Sequence, residues 1–256
     1  MTNEEWKKIN DEVTSEMLDF TRVFVTPLGT ETYKGVRLVG SGSYISFDGK
    51  RLLLTCEHVA CQPPIHYRFH SSEDVFEYAC AWRMNPYPID AAMAQISDTD
   101  WNATTHNSDE IPTSKFAFKH APTQKEELLF FCGFAGENSH YGFEIHEANA
   151  TGHCSQEVAD SGDSQIFEIF WKPEKLEFTS KTDIQTRKEI KKDDPRGFSG
   201  SLVWNTRYLE VTNANQKWSP ENAVVTGLLC RWDEGETGNL LALRVEHLNK
   251  WLRGSR

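Results

Sequence analysis

The chain has 256 residues, of which 38% are hydrophobic and 25% are charged, so it can bury a substantial core and is not of the disordered class. Its net charge of −11, with no dense stripe of Lys and Arg, argues against nucleic acid or an anionic membrane as a partner. The first residues are acidic, no apolar run follows them, and no segment approaches the roughly 18 apolar residues of a membrane span. The sequence therefore predicts a cytoplasmic protein without a signal peptide.

The cysteines and histidines do not follow the spacing of a known metal site. Six cysteines are scattered through apolar segments and, without a secretory signal, are expected to be reduced and buried: Cys56, Cys61, Cys80, Cys132, Cys154 and Cys230. His146, His153 and Cys154 are candidate ligands, but the seven-residue gap between the two histidines fits no standard zinc pattern. We therefore predict neither a metal nor another cofactor.

A helix is predicted at each end of the chain. Between residues 3 and 20 apolar side chains recur at helical spacing, with charges between them, at Trp6, Ile9, Val13, Met17 and Leu18. This helix is expected to pack outside the main fold, and residues 21–27 are expected to form the strand after it. At the other end, the same spacing is found for Val245, Leu248, Trp251 and Leu252.

Between the two helices the sequence predicts a β protein. Residues 40–47, the Asp48-Gly49 pair and residues 51–55 together indicate a hairpin. Further short apolar runs follow at 66–69, 76–83, 91–96, 128–133, 141–150, 165–171, 202–204, 224–230 and 240–243. Many short strands at irregular spacing favour a sandwich or barrels over alternating β-α units. The polar, turn-rich stretch 98–115 suits a connection between two halves.

The segment from Asp193 to Trp204 presents the hydroxyl of Ser199 in a glycine-flanked turn directly before an apolar strand. Gly197 and Gly200 permit backbone conformations that are closed to other residues, so that a substrate can approach Ser199 closely. The amides of Gly197 and Ser199 could then point at one spot, as an oxyanion hole requires. An ordinary Gly/Ser turn before a strand is the alternative. The choice between them depends on finding a base and an acid elsewhere.

His58 and Asp90 are the candidate base and acid. His58 stands just past the predicted strand 51–55, where a side chain can be held rigidly at the rim of a core. Asp90 directly precedes an apolar strand, and a partly buried carboxylate there needs a partner such as an imidazole N–H. A structural histidine and an Asp at a turn are the alternatives. The order His, Asp, Ser matches chymotrypsin-like proteases and differs from that of subtilisins and α/β-hydrolases.

Several blocks in this order resemble trypsin-like serine peptidases, and the bacterial HtrA-type branch is the nearer match. Residues 40–42 (GSG) and 54–59 (LTCEHV) resemble the family's opening strand and its histidine segment. Four further blocks resemble the family. Residues 89–92 resemble its acid segment, and residues 129–136 resemble the strand that opens the second barrel. Residues 196–203 resemble the serine turn, and residues 224–228 resemble the strand that lines the substrate channel. The resemblance extends over roughly residues 36–245.

The resemblance implies an all-β fold of two six-stranded antiparallel barrels with the active site between them. Residues 1–20 would be the N-terminal helix, 21–112 the first barrel, 113–244 the second barrel and 245–256 the C-terminal helix. Ser199 would be the nucleophile, His58 the general base and then acid, and Asp90 the residue that orients His58. The backbone amides of Gly197 and Ser199 would form the oxyanion hole.

Two departures from the family are informative. Animal digestive relatives have an Asp immediately before the serine, which pairs with a newly cut N-terminus, whereas this chain has Phe198. That activation switch is therefore not expected to operate. No PDZ-like region follows the protease body, so the periplasmic chaperone-protease role is not expected.

The sequence says less about substrate preference than about the catalytic residues. Asp193 lies six residues before Ser199, near the place where trypsins have the carboxylate that receives Lys or Arg, although it can equally be a solvated acidic turn. If Arg231 or Trp232 projects into the pocket, the pocket would be narrowed or would favour an acidic side chain.

The sequence thus predicts a bacterial, cytoplasmic serine endopeptidase that acts on proteins or peptides through a Ser-His-Asp triad and an acyl-enzyme. An always-active cytoplasmic protease would be harmful, so narrow specificity or an activating protein partner is expected. The alternative is a catalytically silent peptide-binding module on the same fold.

Overall fold

The computed structural model describes residues 2–33, 35–78, 80–122, 126–135, 139–142, 145–148, 150–158, 163–172, 179–182, 195–234 and 237–254. These residues contain five α-helices: α1 (Asn3–Thr21), α2 (Glu57–Ala60), α3 (Asp98–Trp101), α4 (Tyr208–Asn213) and α5 (Val245–Arg253). None of these helices has both the length and the apolar character needed to cross a bilayer.

The first sheet is formed by the N-terminal half of the chain. Its strands are β1 (Val25–Thr32), β2 (Gly35–Phe47), β3 (Lys50–Thr55), β4 (Ile65–Tyr67), β5 (Phe76–Tyr78), β6 (Arg83–Asn85), β7 (Ala91–Gln95) and β8 (Ile111–Pro112). Seven of them pair in the order β5-β4-β1-β2-β3-β7-β6, and the short β8 pairs in parallel with β2. The predicted hairpin is β2–β3, where Asp48 and Gly49 both have positive φ, as a tight two-residue turn requires.

The second sheet is formed by the C-terminal half. Its strands are β9 (Leu129–Gly133), β12 (Thr151–Ser155), β13 (Ile166–Ile169), β14 (Leu202–Asn205), β15 (Val224–Trp232) and β16 (Leu240–Arg244), while β10 (Ser139–Gly142) and β11 (Ile145–Ala148) pair with each other. The six strands lie in the order β12-β9-β14-β15-β16-β13, and all pairs are antiparallel. The predicted all-β fold with two curled antiparallel sheets is confirmed; the first sheet has more strands than the six expected.

The N-terminal helix α1 lies where the sequence predicts it and packs on the second sheet. Thr2 and Glu5 form a capping box at its start. Val13 and Met17 are fully buried, and Phe20 meets Trp204 of β14 edge to face at 5.9 Å. The strand predicted over 21–27 begins only at Val25, because the helix continues through Thr21 and a 3-10 turn follows.

The C-terminal helix α5 joins the two sheets. It follows β16 directly and buries the four apolar side chains predicted for its inner face, which are Val245, Leu248, Trp251 and Leu252. Arg83 of β6 donates a hydrogen bond to the carbonyl of Trp251 at 2.8 Å and lies over its ring. This contact ties the first sheet to the end of the chain.

Candidate active site

His58 lies in α2, immediately after β3 ends at Thr55. Two contacts anchor the junction between strand and helix. The Thr55 hydroxyl donates to the Ser41 carbonyl at 2.7 Å, and the Cys56 thiol donates to the Leu229 carbonyl of β15 at 3.3 Å. His58 is thereby held at the rim where the two sheets meet, with its side chain 43% exposed.

Asp90 contacts His58 through both of its carboxylate oxygens. Its Oδ2 lies 2.8 Å from His58 Nδ1, and its Oδ1 accepts from the His58 backbone amide at 3.1 Å. The residue is 3% exposed and has a φ of 49°, a left-handed conformation that Asp tolerates better than most side chains. Because a carboxylate is an acceptor, the proton is assigned to Nδ1, which leaves Nε2 as an acceptor.

The pKa of Asp90 lies below its ordinary value. Burial acts to raise it, but the hydrogen bond from the His58 ring, the charge of that ring, the hydrogen bond from the His58 amide and the charge of Arg231 together outweigh burial. The carboxylate is therefore ionised at neutral pH, which is the form that can accept both hydrogen bonds.

The turn that carries Ser199 is fixed between the two sheets. The Ser199 carbonyl accepts from the Ser41 amide at 2.8 Å, and the Gly200 amide donates to the Leu229 carbonyl at 2.8 Å. Gly197 and Gly200 have φ values of +105° and +93°, which L side chains rarely adopt. The expectation that these two glycines take conformations closed to other residues agrees with their backbone angles.

The amides of Gly197 and Ser199 have no acceptor in the described part of the chain. Between them, the Phe198 amide donates to the Pro195 carbonyl at 3.1 Å, while the carbonyl of Gly197 accepts from the Ser41 hydroxyl at 2.7 Å. Two N–H groups flanking the Ser199 side chain are thus available to an external acceptor.

The Ser199 hydroxyl donates to the Cys230 carbonyl at 3.4 Å, a distance longer than usual for such a hydrogen bond. Among the described residues no hydrogen bond joins this hydroxyl to His58. Both side chains line one cavity of about 290 Å³ at the junction of the sheets. The structure therefore brings His58 and Asp90 into direct contact, and Ser199 to the same cavity.

Phe198 is 1% exposed and lies in an apolar cluster inside the second sheet. Its ring meets those of Phe131, His153 and Trp171 edge to face, with centroids 5.3, 5.4 and 5.9 Å away. The position that resembles the one where animal digestive proteases have an Asp is thus filled by a core side chain. His153, considered above as a metal ligand, packs in this aromatic cluster, and the side chain of His146 lies outside the described residues.

One group of potential metal ligands occurs among the described residues. The ligand atoms of Cys56, His58 and Asp90 all lie within 4.8 Å of one another. Burial raises the pKa of the Cys56 thiol well above its ordinary value, and Nδ1 of His58 already faces Asp90. The hydrogen bonds described above therefore occupy these atoms.

The residues predicted to shape the substrate pocket have different outcomes. Asp193 lies outside the described residues. Trp232 lines the cavity and donates from Nε1 to the Gly238 carbonyl at 3.2 Å, and Arg231 also lines it, with its guanidinium 4.6 Å from the centre of the exposed Tyr87 ring. Cys230, the neighbour of Arg231 in the same wall segment, also lines it, and so do residues not predicted from the sequence as pocket residues: Pro195, Arg196, Leu229, Glu234 and Leu240. Arg196 directly precedes Gly197, so its place next to the serine turn could have identified it as a pocket residue from the sequence.

The fold is shared with known serine proteases. A serine endoprotease from Yersinia pestis superimposes with a TM-score of 0.57 at 14% identity, over 94% of this chain and 65% of that one. The active form of the Rv3671c protease from M. tuberculosis gives 0.54 at 15% identity, over 94% of this chain and 85% of that one. A structure from work on the intrinsically disordered Sesbania mosaic virus VPg protein gives 0.51 at 12% identity, over 90% of both chains.

No protein-family profile matches the sequence, and no curated protein matches it either. At these identities the structural likeness establishes the fold alone. The chain has a chymotrypsin-like fold and is similar in structure to trypsin-like serine proteases.

Proposed function

We propose that the chain is a serine endopeptidase in which Ser199 is the nucleophile, His58 the general base and Asp90 the residue that orients His58. The observation that carries the proposal is the two-point contact between Asp90 and His58, made beside a cavity that Ser199 also lines. A histidine fixed in one tautomer, with a free Nε2 facing a cavity that holds a serine, is the arrangement that base-assisted acyl transfer requires.

The chemistry follows from these groups. Ser199 Oγ attacks the carbonyl carbon of a peptide bond while Nε2 of His58 takes its proton. The amides of Gly197 and Ser199 donate to the oxygen that becomes negatively charged. The protonated ring, stabilised by Asp90, returns the proton to the leaving amine, and an acyl-enzyme remains. Water, deprotonated by Nε2, then attacks the acyl carbon; the bond from that carbon to Ser199 Oγ breaks, the acid leaves, and the ring returns the proton to Oγ.

One rearrangement must precede the first step. The Ser199 hydroxyl is directed at the Cys230 carbonyl, so it has to give up that hydrogen bond before it can donate to Nε2 of His58. The bond that it gives up is long and hence weak, and catalytic hydrogen bonds commonly tighten only when substrate is bound. We propose that substrate, or a protein partner, favours the turned hydroxyl, which would keep a cytoplasmic protease selective.

The cavity also supports a proposal on substrate preference. Two basic residues, Arg196 and Arg231, line it, and Glu234 is the acidic residue among the described lining residues. Trp232 forms an aromatic wall. We propose that the enzyme prefers proteins or peptides with an acidic side chain near the scissile bond, where Arg231 can reach it.

A second function is favoured by one observation, which is that the Ser199 hydroxyl donates to the Cys230 carbonyl and, among the described residues, makes no hydrogen bond to His58. A catalytically silent module that holds peptides in the same cavity would have this arrangement permanently. The two functions differ in whether Ser199 ever becomes nucleophilic.

Labelling with a fluorophosphonate distinguishes them. The enzyme hypothesis expects covalent labelling of the wild-type chain and of Ser201→Ala, but none of Ser199→Ala. Ser201 is the matched control because it lies in the same turn and is fully buried. If Ser199-dependent labelling occurs neither in the chain alone nor with peptide substrates or a protein partner added, the endopeptidase proposal is overturned, and tight peptide binding by the same protein would then favour the silent module.

A further inference from the structure

A second cavity, of about 320 Å³, lies where α1, the first sheet and the second sheet meet. Its walls come from the end of α1, from β1, from the loop after β4 and from segments next to β9 and β12; the lining residues are Leu18, Arg22, Val25, Pro27, Arg68, Phe69, His70, Ser71, Phe134 and Ala150. Most of these side chains are apolar, and none of the described lining residues carries a carboxylate. The fold and the proposed triad do not use this space.

Three basic side chains border this cavity in a chain whose net charge is −11. They are Arg22, Arg68 and His70. Burial and the positive charges of Arg22 and Arg68 lower the pKa of His70, which agrees with the three side chains lying at one cavity. Arg22 also pairs with Asp19 at 3.5 Å, on the exposed side of the helix. An anion bound in the cavity would lie close to all three basic groups.

The loop that carries two of these groups is held in place by hydrogen bonds. The Arg68 carbonyl accepts from Thr26 Oγ1 at 2.7 Å and from Tyr44 Oη at 3.1 Å. The His70 amide donates to Ser108 Oγ at 2.6 Å, and its carbonyl accepts from the Asn107 amide at 2.9 Å. A ligand would therefore meet a loop whose backbone is already fixed, which lowers the entropy cost of binding.

A short chain of hydrogen bonds connects this cavity to the serine turn. Phe134 lines the cavity, and its backbone amide donates to Ser41 Oγ at 2.9 Å. Ser41 Oγ in turn donates to the carbonyl of Gly197 at 2.7 Å. That carbonyl belongs to the peptide between Gly197 and Phe198, so a shift of Phe134 acts on the orientation of the proposed oxyanion hole.

We propose that this cavity binds a small organic anion, a carboxylate or phosphate monoester with an apolar body, and that its occupancy adjusts the serine turn through Phe134, Ser41 and Gly197. The anionic group pairs with Arg22 and Arg68, and the apolar body packs on Phe69 and Phe134. The proposal has a binding half, that the cavity binds the anion, and a coupling half, that this binding adjusts the serine turn. Only the coupling half rests on the proposed function. Coupling between sites typically changes affinity about 5- to 150-fold, and the change is reciprocal.

The binding half is tested by titrating phenyl phosphate into the Ser199→Ala chain by calorimetry, with benzylammonium as the cation of similar shape. We expect binding of phenyl phosphate only, weakened about tenfold or more in Arg22→Gln/Arg68→Gln and unchanged in Arg253→Gln, an exposed arginine of α5. If the double variant does not fold, the exposed Arg22→Gln alone still has to weaken binding. Two results would overturn the site: equal binding of phenyl phosphate and benzylammonium, or equal affinity of Arg22→Gln/Arg68→Gln and Arg253→Gln for phenyl phosphate.

The coupling half is read by hydrogen exchange in the peptide covering 195–201, which needs no activity. Phenyl phosphate is expected to change exchange there in the wild-type chain and not in Ser41→Ala. Binding without this change overturns the coupling. In the wild-type chain the rate of fluorophosphonate labelling should change in parallel. If exchange responds while no labelling occurs under any condition, the effector site stands and the peptidase proposal fails.

Discussion

Replacing Ser41 with Ala is the sharpest test of how the serine turn is held. The Ser41 side chain is fully buried, and its hydroxyl joins two distant segments, accepting from the Phe134 amide at 2.9 Å and donating to the Gly197 carbonyl at 2.7 Å. Ala removes both hydrogen bonds and leaves the backbone unchanged. The Phe134 amide and the Gly197 carbonyl then lose the partner that the structure gives them.

The expected magnitude follows from these contacts. A hydrogen bond contributes about 0.5–1.5 kcal/mol net, and a buried group left without a partner costs about 1–3 kcal/mol, so we expect Ser41→Ala to lower the free energy of unfolding by about 2–4 kcal/mol. Removing one oxyanion donor costs about 10²–10³ in kcat, so a donor that is only misdirected should cost about tenfold or more.

Ser43→Ala is the matched control. Ser43 lies two residues further along β2 and is also fully buried, but its hydroxyl has no hydrogen-bond partner among the described residues. We therefore expect it to be neutral or slightly stabilising. Urea unfolding gives the stabilities, and the rate of Ser199 labelling or of peptide cleavage gives the effect on the turn. Equal stability and equal rates for Ser41→Ala and Ser43→Ala would refute the reasoning.

Three further outcomes are expected. In Gly200→Ala the new β-carbon would overlap the Ser41 carbonyl and the Thr55 hydroxyl, at a φ of +93° that Ala rarely adopts. The free energy of unfolding measured in urea should therefore fall by roughly 3 kcal/mol or more. An unfolding midpoint equal to that of wild type would show that these contacts are not as described. The lowered pKa of Asp90 adds stability that is present above about pH 4 and is lost as the pH falls below that. In denaturant unfolding, the difference in free energy of unfolding between wild type and Asp90→Asn should therefore shrink in acid. A difference that does not change with pH would contradict this. If the substrate proposal holds, Arg231→Glu should shift the kcat/KM ratio of acidic over basic peptides by about tenfold or more towards basic ones, as measured on paired synthetic substrates; an unchanged ratio argues against it.

The parts of the site that were predictable are those with a local signature. Ser199 lies in a turn whose glycines need positive φ, His58 follows a short apolar strand, and Asp90 precedes another. Their order along the chain then pointed to one fold. The end of α1 was less predictable, because Thr21 Oγ1 bonds back to the Met17 carbonyl and so extends the helix into the predicted strand.

The contacts that fix the site could not be predicted in the same way. Ser41 lies 93 residues from Phe134 and 156 residues from Gly197 in sequence, and nothing in the periodicity of either segment indicates that they meet. The same is true of Arg231, whose guanidinium lies over the ring of Tyr87. Such pairs depend on how two sheets from different halves of the chain are placed against each other.

The burial of Phe198 has a consequence for how the serine turn responds to solution conditions. An ion pair next to a catalytic serine weakens with added salt and titrates with pH, whereas an aromatic ring among Phe131, His153 and Trp171 depends chiefly on the integrity of the core around it. The turn geometry should therefore be largely insensitive to ionic strength and should be lost together with the second sheet in one cooperative thermal transition. We therefore expect the turn to form together with the core of the second sheet as the chain folds.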